Sequence, residues 1–244
     1  MTAQQIDQSP TSAAPNGFAN LVNAGRDALN AGDLPLAKDL FIRAATLHPD
    51  RPESHNNLGA FYMGLADFSA AETCFATLTD MMPENPSCRF NLAMARFRQN
   101  KYEDAARDFA IVTEQIPDDA EAWNNLGAAR CLAGDIEQAR QDLTRALQLQ
   151  PNYPNAVLNL CDLEYADHKV ESAIGLCEAY LEHQHDLGVM RRLLEILDEQ
   201  ASIFLDRAIP HAEAVVHASG KDEAACRHLG DLLEARKTLA ATAG

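Results

Sequence analysis

Residues 120–153 read AEAWNNLGAARCLAGDIEQARQDLTRALQLQPNY. Two stretches carry small and apolar residues at helical spacing: Trp123, Leu126 and Gly127, then Ala139, Leu143 and Ala146. Between them lies the breaker Ala133–Gly134–Asp135, and Pro151 closes the segment, so the reading is a helix, a tight turn and a second helix. The same arrangement recurs every 34 residues, with units starting at Phe18, Pro52, Pro86, Ala120 and Pro154 and closing prolines at Pro49, Pro83, Pro117 and Pro151. Turn segments at residues 31–33 and 65–67 repeat the one at 133–135. A hairpin of this size cannot bury its own apolar face, so a fixed period implies stacked hairpins sharing a continuous core.

The pattern resembles the tetratricopeptide repeat family, whose 34-residue unit carries W-x-x-L-G-x-x-Y and then Ala, Phe, Ala and Pro at fixed offsets. The second unit reads HNNLGAFY over 55–62, followed by Ala71, Phe75, Leu78 and Pro83; the first supplies Gly25, Ala37, Phe41, Ala44 and Pro49. The third keeps Leu92, Ala105, Phe109 and Pro117 but has Ala93 at the glycine position and Arg89 and Arg96 at the two aromatic ones. The fifth keeps Leu160 and Ala173 and places Cys161, Cys177 and Tyr180 at signature positions. The resemblance implies an all-α fold, a right-handed superhelical solenoid. Small residues at Gly59 and Ala71, or Gly127 and Ala139, are where two helices of a hairpin approach closely.

The expected organisation is a disordered tail over 1–17, five units over 18–187 (18–51, 52–85, 86–119, 120–153 and 154–187), a degenerate sixth over 188–221, and a capping helix and tail over 222–244. The sixth unit is predicted as helices near 189–201 and 203–218, with Pro210 in the second, and the cap from Asp222 to about Leu239.

Composition agrees. The 244 residues include 71 Ala and Leu against 16 Val and Ile, a balance that favours helix over sheet. A net charge of −16 opposes nucleic-acid phosphates and anionic lipid, so neither nucleic acid nor membrane is an expected partner. Six cysteines without a C-x-x-C pair suit a reducing compartment. The N-terminal stretch has no basic or apolar leader region, and no segment is apolar over a membrane thickness; the expected location is cytoplasmic.

The sixth position of each unit is Asn23, Asn57, Asn91, Asn125 and Asn159, with no exception. A carboxamide offers one acceptor oxygen and two N–H donors, so such a row can read the C=O and N–H groups of an extended peptide. In this it resembles the arrays of O-linked N-acetylglucosamine transferases and kinesin light chains, where an asparagine ladder grips a peptide; the alternative is that the amides bridge neighbouring helices or face water. The flanking candidates are Asn56, Asn124, Met63, Phe90, Met94, Arg98 and Asp162, a mixed lining suited to a segment with a few apolar side chains. The carboxylate clamp of family co-chaperones is excluded, because Val22, Ser87 and Asn91 replace its cations. Arg89, Arg96, Arg98 and Arg130 form either a basic patch for an acidic segment or, as preferred, ion pairs with Glu103, Asp104 or Glu121.

No phosphate loop, metalloprotease motif or nucleophile elbow occurs, so no catalytic residue, metal or cofactor is expected. His183 and His185, with His168 and Cys177 nearby in sequence, match no zinc spacing, and Cys161 and Cys177 read as small buried side chains with a redox pair as the lesser alternative. The expected function is a non-catalytic adaptor that binds an extended segment of a partner protein. The alternatives are a substrate-recruiting module for a separate glycosyltransferase and a self-assembling scaffold or chaperone, with homo-oligomerisation left open.

Overall fold

A computed structural model describes residues 17–218 and 223–242. All regular structure among them is helical: α1 (Phe18–Asn30), α2 (Leu34–Leu47), α3 (Pro52–Gly64), α4 (Phe68–Met81), α5 (Pro86–Arg98), α6 (Tyr102–Gln115), α7 (Ala120–Ala133), α8 (Ile136–Leu149), α9 (Pro154–Ala166), α10 (Val170–Leu181), α11 (Leu187–Ala218) and α12 (Glu223–Thr242). Within the first ten helices α1 packs on α2, α3 on α4, α5 on α6 and α9 on α10, each pair a hairpin. The chain forms two compact bodies that divide at Ala139 and Arg140. In the first, each helix from α1 to α7 packs on the next; in the second, α9, α10 and α11 pack together and α12 lies on α11.

Local chemistry sets the helix ends. Pro52, Pro86 and Pro154 open their helices, where a missing N–H costs nothing. Asp33, Asp67, Asn85 and Asp119 accept hydrogen bonds from first-turn backbone N–H groups. The turn inside each hairpin places its fifteenth residue at positive φ: Gly32 (77°), Ala66 (57°), Asn100 (61°), Gly134 (94°) and His168 (61°). Only two of the five are glycine, so Ala66 and His168 hold a left-handed conformation that their side chains disfavour.

Residues 200–204, Gln-Ala-Ser-Ile-Phe, offer no such turn, and the predicted break between 201 and 203 is absent: α11 runs through as one helix of 32 residues with Pro210 inside it. The sixth hairpin is therefore α11 with α12, joined through a small cluster of Leu205, Ile209 and Leu232. The expected tail over 1–17 lies outside the described residues apart from Gly17.

In the first, second, third and fifth hairpins the eighth residue of the unit meets the twenty-fourth. A Cβ added at Gly25 would sit 2.8 Å from Phe41, and one at Gly59 only 2.6 Å from Phe75, both buried rings. In the third hairpin Ala93 and Phe109 share one cluster at 0% exposure. The fifth replaces both partners: the Cys161 and Cys177 sulfurs share a hydrogen bond at 3.3 Å, and neither is exposed. Their contact, with burial, pushes the Cys161 thiol far above its ordinary range.

Two outcomes follow from these environments. Gly59→Ala is expected to destabilise by about 1–3 kcal/mol through overpacking, whereas Gly175→Ala, on α10 with open space around it, stabilises by about 0.5–1 kcal/mol. Urea unfolding followed by circular dichroism measures both, and equal effects would refute the closest-approach argument. Thiol titration of the native protein should label exposed Cys226 first and half-buried Cys131 more slowly, while Cys74, Cys88, Cys161 and Cys177 react only on unfolding.

Candidate functional site: the asparagine row and its polar supports

The first helix of each hairpin carries one member of the row. Asn23, Asn57, Asn91 and Asn125 stand on α1, α3, α5 and α7 of the first body, and Asn159 on α9 of the second. Asn23 is exposed and the others are half-buried. Two amides of the first body are partly engaged. Arg26 donates to Asn57 Oδ1 at 3.2 Å, and Asn91 Nδ2 donates to Asn56 Oδ1 at 3.4 Å, each bond linking consecutive units. Asn57 thus keeps its N–H donors and Asn91 its acceptor, while Asn23 and Asn125 make no hydrogen bond among the described residues.

The flanking residues divide. Asn124 is 4% exposed and faces the protein interior, so it takes no place in an accessible lining. Asp162 is exposed but bound to Arg192 at 2.6 Å. Met63 and Met94 are half-buried against the core, and Arg98 is exposed at the end of α5. Phe90 stacks edge-on against Phe109 at 5.4 Å and borders a cavity of about 260 Å³. Pro86, Phe90, Val112 and Ile116 give this cavity apolar walls; Ser87, Asn91, Asp119 and Glu121 give it polar ones. Sequence reading found Phe90 and Asn91 but missed Val112 and Ile116, because second-helix apolar residues read as core.

The arginines at signature positions form no basic patch. Arg96 donates to Glu72 Oε1 at 3.0 Å and to Asp108 Oδ2 at 2.6 Å, and Arg89 reaches Asp108 Oδ1 at 3.2 Å. Gln99 and Lys101 donate to Glu72 Oε2 at 2.8 and 2.6 Å. Arg89 and Arg96 do not use the expected partners Glu103, Asp104 and Glu121; Asp104 pairs instead with Arg107. Glu103 and Asp104 lie in the first turn of α6, whereas Asp108 stands a turn further on, level with the arginines.

A register rule emerges: residue twenty-one of one unit meets residue eleven of the next. Lys38 lies 5.6 Å above the Tyr62 ring, Glu72 binds Arg96, and Arg140 binds Glu164 Oε1 at 2.6 Å while also reaching Asp167. The same junction is made by cation–π contact, by acid–base and by base–acid pairing. Burial would raise the Glu72 pKa, but donation by Lys101, Gln99 and Arg96 outweighs it and holds the carboxyl at about 2.

Among the described residues no three His, Cys, Asp or Glu side chains gather as a metal site, and no helix is long and apolar enough to cross a membrane. His183 and His185 follow the end of α10, and both are exposed.

Repeated helical hairpins joined at fixed registers define the class, an all-α solenoid of helical repeats. The chain belongs to the tetratricopeptide repeat family: models of that repeat match residues 22–86, 61–110, 90–154 and 132–195. No curated protein matches it over its sequence. Among solved structures it is similar in fold to MamA of Desulfovibrio magneticus RS-1, at 19% identity and TM-score 0.63, covering 68% of this chain and 93% of that one. Pseudomonas aeruginosa pilF aligns at 17% identity and TM-score 0.60 over 88% of this chain and 97% of that one. YrrB, described as a repeat protein with an unusual peptide-binding site, aligns at 15% identity and TM-score 0.61 over 74% and 93%. At these identities the likeness is one of fold.

The Glu72 carboxylate has a folded pKa below its ordinary 4.5, so its contribution to stability is full above that pH and is lost as the pH falls towards 2. Glu72→Gln should therefore cost about 1–2 kcal/mol at neutral pH. The gap to the wild type closes between about pH 4.5 and 2. Urea titrations across that range test this; a gap independent of pH would show that the charge of Glu72 contributes nothing.

Proposed function

We propose that the protein is a non-catalytic adaptor that holds an extended peptide segment of a partner protein along its asparagine row. The observation that carries this reading is the row in the first body, where Asn23 and Asn125 have unengaged amides and Asn57 and Asn91 each retain hydrogen-bonding groups. Amides at this spacing address main-chain groups, which every peptide presents, and so give grip without sequence choice. Choice comes from side-chain pockets, and the Phe90 cavity beside Asn91 suits one apolar side chain of the ligand. The bonds from Arg26 to Asn57 and between Asn91 and Asn56 favour the bridging alternative for part of each amide, so the row serves both roles. A peptide-binding site in YrrB, named in that protein's description, is consistent with the fold supporting such a use.

Each main-chain contact contributes about 1 kcal/mol net, so one Asn→Ala change weakens binding only a few-fold while several together abolish it. The test compares native-extract co-purification by wild type and by the combined Asn57→Ala, Asn91→Ala, Asn125→Ala, Asn159→Ala variant, both shown folded by circular dichroism. A synthetic peptide from the partner is then titrated with and without backbone N-methylation. Selective loss from the variant and from the methylated peptide supports the reading. Equal retention by both proteins would mean that the row is structural, and loss of a glycosyl modification on the partner would favour the recruiting-module alternative.

A further inference from the structure

The longest helix carries two apolar seams. One is turned inward in two parts: Val189, Leu193 and Ile196 pack with residues of α9 and α10, and Leu205 and Ile209 pack with α12. The other runs Leu187, Met190, Leu194, Leu197, Ala201 and Phe204, at intervals of three and four, and is exposed throughout. Its five large side chains are 40–77% accessible, levels at which large apolar groups occur singly on surfaces and not as a continuous stripe. A strict three-four alternation over about 25 Å of helix is the pattern by which two helices interlock, with Leu187, Leu194 and Ala201 as the first apolar position of each heptad and Met190, Leu197 and Phe204 as the second.

The charges beside the seam identify the occupant. Arg191 and Asp198 occupy the same heptad position, directly after Met190 and Leu197, and neither has an ion-pair partner among the described residues. The opposite edge, Leu193 and Gln200, is half-buried within the second body and carries no charge. In an antiparallel pair the edge bearing Arg191 and Asp198 faces its own counterpart. A two-fold axis that sets Leu194 against Leu197 then brings each Arg191 towards the Asp198 of the other helix, twice over. The same axis places Met190 against the small Ala201 and Leu187 against Phe204. A parallel pair would instead face this charged edge with the uncharged one.

We infer that α11 is a self-association surface through which two copies of this chain pair antiparallel, seam to seam, with reciprocal Arg191–Asp198 contacts. A two-fold contact of this kind uses the same patch on both molecules and closes on itself, so it yields a dimer and not a filament. It is independent of the asparagine row.

Sedimentation equilibrium of the full chain at 1–100 µM, on the order of ordinary dimer dissociation constants, tests this directly. Wild type should approach twice its 26.6 kDa mass. The Leu194→Glu, Leu197→Glu variant should remain monomeric with unchanged helicity, since both side chains are exposed. Arg191→Asp or Asp198→Arg alone should weaken association about tenfold, and the two together should restore it, because the swap re-creates both pairs. A wild-type monomer at 100 µM, a dimer that survives the double glutamate change, or a charge swap that fails to rescue would each overturn the proposal; the first would leave the seam to a helix of a different protein.

Discussion

Four of the hairpins in this chain, the first, second, third and fifth, are held at a distance set by one contact, the eighth residue of the unit against the twenty-fourth. Where a phenylalanine ring fills the gap, as at Phe41 and Phe75, the opposing residue has no room for a side chain and is glycine. Where the opposing residue is alanine, as at Ala93 against Phe109, both become fully buried. The fifth hairpin divides the same space between two thiols of intermediate size. The constraint is therefore one of summed volume at the crossing point, and dense packing tolerates its redistribution between partners but not its increase. From that spacing follow the positions of the first helices, and hence the spacing of the amides that they carry.

The joints between units rest on a different force. The eleventh residue, aromatic in the family pattern, is Tyr62, Arg96 and Glu164 in three of the units, and each meets the twenty-first residue of the preceding unit. Exchanging a ring for a charge at a half-buried joint leaves an ion to be solvated, and the chain supplies countercharges to do so: Asp108 and Glu72 around Arg96, Arg140 against Glu164. Such a network contributes little net energy relative to an apolar packing, yet leaves an uncompensated charge when one member is lost. Its consequence for function is negative and specific: Arg89 and Arg96, which looked available to an acidic ligand, are already neutralised.

The asparagine row sits on the helices that these two constraints position. Its members are of one residue type but not of one environment. The amides nearest Arg26 and Asn56 spend part of their hydrogen-bonding capacity on joining units, and those of Asn23 and Asn125 do not. A partner segment laid along the row would then find stronger grip at some units than at others, with the apolar cavity beside Asn91 as the anchor.

Much of this was legible in the sequence, and the limits were physical. A strict 34-residue period, a proline at each unit boundary and small residues at fixed offsets determine ten helices and the pairing of α1 with α2, α3 with α4, α5 with α6 and α9 with α10, because backbone propensity and steric volume act locally and repeat with the chain. The row of asparagines was visible for the same reason. Local signals failed where no repeat constrained them, as in the continuous α11, whose break was expected from phase alone although residues 200–204 contain no turn-forming chemistry. Tertiary structure alone decided which way each side chain faces: that Asn124 is interior while its neighbour Asn125 is not, that Val112 and Ile116 wall a cavity, and that Arg96 is bound by Glu72 from the preceding unit. Those facts depend on helix rotation and on partners far away in the chain, which set the burial and pairing of a side chain and leave no trace in its immediate sequence.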